Sequence, residues 1–76
     1  MPISANERKR LREFGAKVRR IRSAMGLTQC ELAERAEIAT RNLQKIEAGQ
    51  LNILLTTVIR IQLALRCLWK DLMPLG

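Results

Sequence analysis

Apolar side chains recur along this chain at steps of three and four residues, the spacing that lines one face of a helix rather than the alternation of a strand. Leu11, Phe14, Val18, Ile21 and Met25 share one face, which predicts a first helix from about Asn6 to Met25. Ser4 or Asn6 can cap its start, because a short side-chain oxygen accepts an N–H left unpaired there. Gly26 stands just past its end, where a left-handed residue is favoured. Thr28-Gln29-Cys30-Glu31 reads as a capping box opening a second helix, about Gln29 to Ala36, with Leu32, Ala33 and Ala36 inward. A third helix, about Thr40 to Ala48, turns Leu43 and Ile46 inward and ends at Gly49. The fourth, about Leu54 to Leu65, presents Leu55, Val58, Ile61, Leu65 and in part Ile59. A short fifth helix around Leu68 to Met73 carries Trp69 and Leu72, and Pro74 forbids its continuation.

Five helices with short connections predict one all-α domain over residues 1–76, with its core over about 12–73 and residues 1–5 flexible. Hydrophobic residues make up 47% of the chain, too many for a disordered tail, while Phe14 and Trp69 are the only aromatics. A chain of 76 residues buries only ~60% of its unfolded surface, so a partner subunit would add stability.

Charge changes the picture through its placement. Residues 1–25 carry Arg8, Lys9, Arg10, Arg12, Lys17, Arg19, Arg20 and Arg22 against Glu7 and Glu13, which is +6 of the chain's formal net charge of +7. Such a stripe attracts a polyanion, either nucleic acid or an anionic membrane surface, unless it is simply a solvated face. The chain has no His, and Cys30 and Cys67 lack metal-ligand spacing. Neither a structural zinc site nor a Cys–His pair is expected, and no cofactor is implied. With no nucleophile–base pair, an enzyme is not expected either. The two lone cysteines suit a reducing cytoplasm, and charge from residue 7 onward predicts no secretory leader. Arg60 and Arg66 interrupt the one long apolar stretch, which excludes a membrane span.

The informative stretch is Gln29 to Ile46, two short helices joined by a turn of three or four residues. Leu32 and Ala36 on the first and Leu43 and Ile46 on the second can pin the pair, and small Ala33 lets the backbones approach. The layout is that of a helix-turn-helix, whose second helix enters the DNA major groove. A plain helical hairpin within another bundle has the same pattern.

The run from Arg19 to Ile38, with Gly26-Leu27-Thr28-Gln29, Glu31-Leu32-Ala33 and Arg35-Ala36, resembles the opening of the Cro and phage-repressor (Xre) helix-turn-helix family. Ile46-Glu47-Ala48-Gly49, Asn52, Leu55, Thr57, Ile61, Ala64-Leu65 and Asp71-Leu72 match its later segments without a gap, so the resemblance runs from Phe14 to Met73. It implies a compact five-helix lambda-repressor-like domain that binds double-stranded DNA and regulates transcription. By the same resemblance Gln29 contacts a DNA phosphate, and a helix N-terminus is itself a phosphate site. Thr40, Arg41, Gln44 and Lys45 would read base edges. Arg41 suits a guanine and Gln44 an adenine, each pairing worth ~1–3 kcal/mol of discrimination. Thr28, Asn42, Gln50, Asn52 and Arg19 are the further candidates for phosphate, with Asn42 able to touch base or phosphate. Arg22 and Glu47 match an ion pair that locks the first helix to the end of the third.

Four departures from the family pattern set further expectations. Glu37 stands where many members have Gly, so a different turn or an extra helical residue is expected. Ala39 replaces the usual Ser or Thr cap, Ile53-Leu54 replaces Pro-Ser, and Arg66 replaces a helix-ending Gly. Leu54, Leu68 and Trp69 then supply an apolar surface for a two-fold homodimer on a short palindromic operator, unless Trp69 turns inward to plug the core. The rival reading is an antitoxin-like interaction module. In it Leu51, Ile53, Leu54, Leu55, Leu68 and Trp69 would meet a partner protein such as a toxin, and the chain would autoregulate its operon.

Overall fold

The computed structural model describes residues 2–73, and among them the chain forms five helices: α1 (Ala5–Ala24), α2 (Gln29–Ala36), α3 (Thr40–Glu47), α4 (Leu55–Leu65) and α5 (Trp69–Leu72). Pro74, the expected stop signal, lies outside the described residues. The first two helices begin at side-chain caps. Ser4, rather than Asn6, caps α1: its hydroxyl accepts the Glu7 N–H at 3.1 Å, and the Glu7 carboxylate accepts the Ser4 N–H at 2.9 Å. Ser4 and Ala5, within the stretch expected to be flexible, are therefore the cap and first residue of α1. Thr28 and Glu31 repeat the box at α2, with distances of 3.0 and 2.8 Å. Both boxes hold their carboxyls, Glu7 and Glu31, below the usual carboxylate range, because backbone N–H groups bind the charged form. Ala39 and Leu54 begin α3 and α4 with no side-chain cap at all.

The turn between α2 and α3 departs from expectation. Glu37 takes the left-handed conformation after all, at φ 57° and ψ 44°, and α2 is not extended. Its N–H reaches Glu34 O at 3.2 Å, and the Ile38 N–H returns to Ala33 O at 3.0 Å, pairing carbonyls that a helix end leaves orphaned. Ile38 packs on the core beyond the turn, and the Arg60 guanidinium donates to Glu37 O at 3.4 Å. Left-handed geometry costs a side-chain-bearing residue about 1–2 kcal/mol. Packing on both sides of a three-residue link outweighs that cost. Arg66 ends α4 in the same way, at φ 54°.

The core is one cluster of Phe14 and Val18 from α1, Leu32, Ala33 and Ala36 from α2, Leu43 and Ile46 from α3, Ile61 and Leu65 from α4, and Leu72 from α5. Helix α1 packs against α3, α4 and α5, while α2 packs against α3 and α4, within an envelope of 32 × 24 × 19 Å. Two residues expected inside are not. Leu55 is 70% exposed and Met25 also faces out, because each stands at a helix end beyond the reach of a facing helix. Trp69 is 42% exposed rather than plugging the core.

Gly15 fixes how closely α1 lies on α3. A Cβ there would meet the Ile46 and Glu47 carbonyl oxygens, the latter at 2.8 Å, so a side chain would push the helices apart. Gly49, at φ 71°, likewise leaves no room beside Arg12.

Two substitutions test these backbone constraints in urea denaturation. Gly15→Ala should lower stability by about 1–3 kcal/mol through overpacking. Glu37→Gly should be neutral or stabilising by up to about 1 kcal/mol, since relief of strain slightly exceeds the added chain entropy. Glu34→Gly, inside α2, should instead cost about 1 kcal/mol.

Candidate nucleic-acid interface

Leu43 and Ile46 are fully buried, so the helical repeat turns the other flank of α3 outward. That flank carries Thr40, half-buried, and Arg41, Asn42, Gln44 and Lys45, all exposed. The side chains of Arg41, Gln44 and Lys45 form no hydrogen bond or ion pair with the rest of the described chain. Five donors on Arg41, a donor–acceptor amide on Gln44 and an ammonium on Lys45 therefore stand ready for an external partner.

Beside this flank, α1, α2 and α3 enclose an open notch of about 550 Å3 lined by Arg19, Arg22, Thr28, Gln29, Gln44, Glu47 and Ala48. Four of the expected contact residues thus converge from three helices: Arg19, Thr28, Gln29 and Gln44. The N-terminus of α2 opens into the notch, where unpaired N–H groups and the helix dipole favour an anion.

One carboxylate organises the notch. Glu47, with its side chain only 3% exposed, accepts Arg22 Nε at 2.7 Å and Nη2 at 3.1 Å, a bidentate pairing. Arg22 Nη1 donates in addition to Leu27 O at 2.7 Å, which ties the guanidinium to the loop before α2. The second Glu47 oxygen also accepts Gln29 Nε2 at 3.0 Å. This last bond was absent from the sequence reading, which paired Glu47 with Arg22 alone. It orients Gln29 while leaving its other N–H free for a phosphate oxygen.

The remaining candidates are dispersed. Gln50 is exposed just after α3, its N–H bonded to Lys45 O at 2.9 Å in the turn that ends the helix. Asn52 is exposed but lines a different cavity, of about 420 Å3, with Ile3, Arg10, Leu11, Phe14 and Ile53. The structure does not bring Asn52 to the notch. Ala48, which sequence reasoning passed over, lines the notch where a larger side chain would fill it. Cys30 is exposed on α2 and Cys67 half-buried, with its thiol pushed up by burial; both are free. Among the described residues no cluster of His, Cys, Asp or Glu could hold a metal ion, and no helix is long and apolar enough to cross a membrane.

Glu47→Ala should cost about 3–5 kcal/mol, because it strands a nearly buried guanidinium. Glu34→Ala, on the solvent side of α2, should stay within about 0.5 kcal/mol of wild type. Thermal or urea melts of the two variants measure the contrast, and equal stabilities would remove the organising role from Glu47.

A helix-turn-helix family model matches residues 18–71. The fold is similar to the restriction-modification controller protein C.AhdI from Aeromonas hydrophila, with a TM-score of 0.80 at 30% identity, over 83% of this chain and 96% of that one. Among curated proteins none matches the chain. With the family match spanning most of the chain and the exposed flank of α3 beside the notch at the α2 N-terminus, the protein belongs to the Xre/Cro-type helix-turn-helix family and is a DNA-binding transcriptional regulator.

Proposed function

We propose that the protein binds a short inverted-repeat operator as a homodimer, reading bases with α3 and gripping phosphates from the notch, as a controller-type regulator. The observation that carries this reading is the convergence of Arg19, Thr28, Gln29 and Gln44 from three helices beside the unpartnered flank of α3. Placed in a major groove, that flank sets Arg41 and Gln44 at base edges, with Thr40 and Lys45 beside them and Asn42 toward the backbone. The α2 N-terminus with Gln29, Thr28 and Arg19 then meets the flanking phosphates. Gln50, exposed just after α3, adds a further backbone contact in this reading, while Asn52 lines a different cavity and stands apart from it. The similarity to a restriction-modification controller favours that regulatory context over an antitoxin role.

One helix-turn-helix covers only a few base pairs, so a pair is needed to reach useful affinity, with recognition helices ~34 Å apart. The surface that suits pairing is apolar and belongs to the C-terminal third. Leu54 is 72% exposed, Leu55, Ile59 and Leu63 form an outward stripe at four-residue steps along α4, and Leu68 and Trp69 continue the apolar surface into α5. A soluble domain this small rarely leaves so much apolar surface uncovered. A self-complementary two-fold pairing covers it with the fewest elements.

Selection of bound duplexes from random DNA should enrich an inverted repeat. Arg41→Ala and Gln44→Ala should flatten base preference at defined positions, each by about 1–3 kcal/mol. Gln29→Ala should weaken all sequences alike with little change in the salt slope, whereas Arg19→Ala should reduce that slope by about 0.9. An unenriched pool, or preference untouched by the α3 substitutions, would overturn the assignment. Sedimentation at micromolar concentration should show a wild-type dimer and a folded, monomeric Leu68→Glu, Trp69→Glu variant. A monomeric wild type, or a double variant that still dimerises, removes this interface.

A further inference from the structure

The flank of α1 that faces away from the notch carries a second basic feature. Between α1 and the α4–α5 connection lies a groove of about 720 Å3. Its apolar lining is made by buried Leu65, half-buried Ile21 and Cys67, and exposed Ala24 and Met25. Its rim is basic, with Lys17 and Arg20 from α1 and Arg66 and Lys70 from the other wall. The side chains of Arg20, Arg66 and Lys70 have no hydrogen bond or ion pair within the described chain. Lys17 donates one hydrogen bond, to Met73 O at 2.9 Å. Asp71, the lone acid here, accepts the Leu68 N–H at 3.2 Å and so serves the start of α5.

We infer that this groove docks an acidic, amphipathic segment of a partner protein while the opposite flank of α1 is on DNA. Both halves of the lining contribute to the choice of occupant. Three cations with unpaired side chains line one groove, and carboxylates on a partner would offset their mutual repulsion. The apolar lining asks for Leu- or Met-like side chains, which a phosphate backbone does not have. An acidic helix with an apolar stripe satisfies rim and apolar lining together, in the helix-in-groove manner of recognition. A regulator that keeps this groove open when bound to its operator can hold a second protein there. The groove shares no residue with the notch or with the apolar surface of α4, so it stands independently of the DNA reading.

The probe is a fluorescein-labelled helical peptide with Leu at i, i+3, i+4 and i+7 and Glu elsewhere, followed by anisotropy at near-physiological salt. The full chain should bind it, and Arg20→Glu with Lys70→Glu should weaken binding at least about tenfold. Arg41→Ala should leave it unchanged, and polyglutamate without Leu should bind at least about tenfold more weakly. Circular dichroism melts check that the charge-reversed variant folds. Should it not fold, Arg20→Gln with Lys70→Gln replaces it and should show a smaller loss in the same direction. Binding should persist with duplex DNA in excess. Absence of binding, indifference to the rim substitutions, or equal binding of polyglutamate overturns the proposal. Displacement by duplex DNA would assign the groove to nucleic acid and overturn it as well. A fall in the protein's own oligomeric state on rim substitution would assign the groove to a second copy, with the same consequence.

Discussion

The Glu47 carboxylate is the point on which the arrangement of the notch depends. It sits at the last residue of α3 and bonds to groups from the other two helices that line the notch: Arg22 of α1 and Gln29 of α2. Burying a carboxylate and a guanidinium costs several kcal/mol per ion in desolvation, so this arrangement is a poor device for raw stability. Its value lies in direction. A bidentate pair has one good geometry, and Arg22 is also fastened to Leu27 O at the start of the loop into α2. The angle of α3 against α1, and the pose of Gln29 at the mouth of the notch, follow from one set of hydrogen bonds. A purely apolar contact at the same place would hold the helices together without fixing their register.

That direction is set at the close approach of α1 and α3 which Gly15 allows. Without a Cβ at this position the backbones come near enough for Arg22, two turns further along α1, to meet the end of α3. The apolar packing of Phe14, Val18, Leu43 and Ile46 supplies the attraction, and the ion pair selects among the ways that packing can be made. Burial contributes the larger energy and the polar network the specificity, the division expected of a small domain with one core.

Periodicity carried most of the fold into the sequence. The pattern at steps of three and four matched α2 to the residue and the other helices to within one or two, helped by the caps of α1 and α2 and by the glycines after α1 and α3. What the pattern does not encode is the position of a neighbour. Leu55 satisfies the apolar spacing of α4, yet it begins the helix, where nothing faces it. Glu37 breaks the preference for glycine at a left-handed position, and no local rule reveals that packing beyond the turn outweighs the strain. Gly15 looks like a weak spot inside a helix until the opposing carbonyls are seen. The Arg22–Glu47 pair was legible through the family pattern. The bond from Gln29 to Glu47 was not, because it joins residues from different helices at a distance set only by the fold.

The charge of the first segment is the clearest case of a sequence feature redistributed by structure. Read along the chain, eight basic residues in the first 25 form one stripe directed at a polyanion. Folded, they separate around α1. Arg19 and Arg22 turn to the notch, Lys17 and Arg20 to the opposite groove, and Arg12 lies over Gly49 near the end of α3. Of the two arginines at the notch, Arg22 is committed to Glu47, which leaves Arg19 as the cation free to meet an external anion. At the scale of a Debye length, about 8 Å in physiological salt, only charges on the near flank act strongly on a bound phosphate. The net charge therefore acts on DNA from a distance, whereas under the proposed binding mode the grip at contact range would fall to Arg19, the α2 N-terminus and the exposed flank of α3. Long-range attraction thus draws on every cation of the chain, and short-range reading on the few that share one flank.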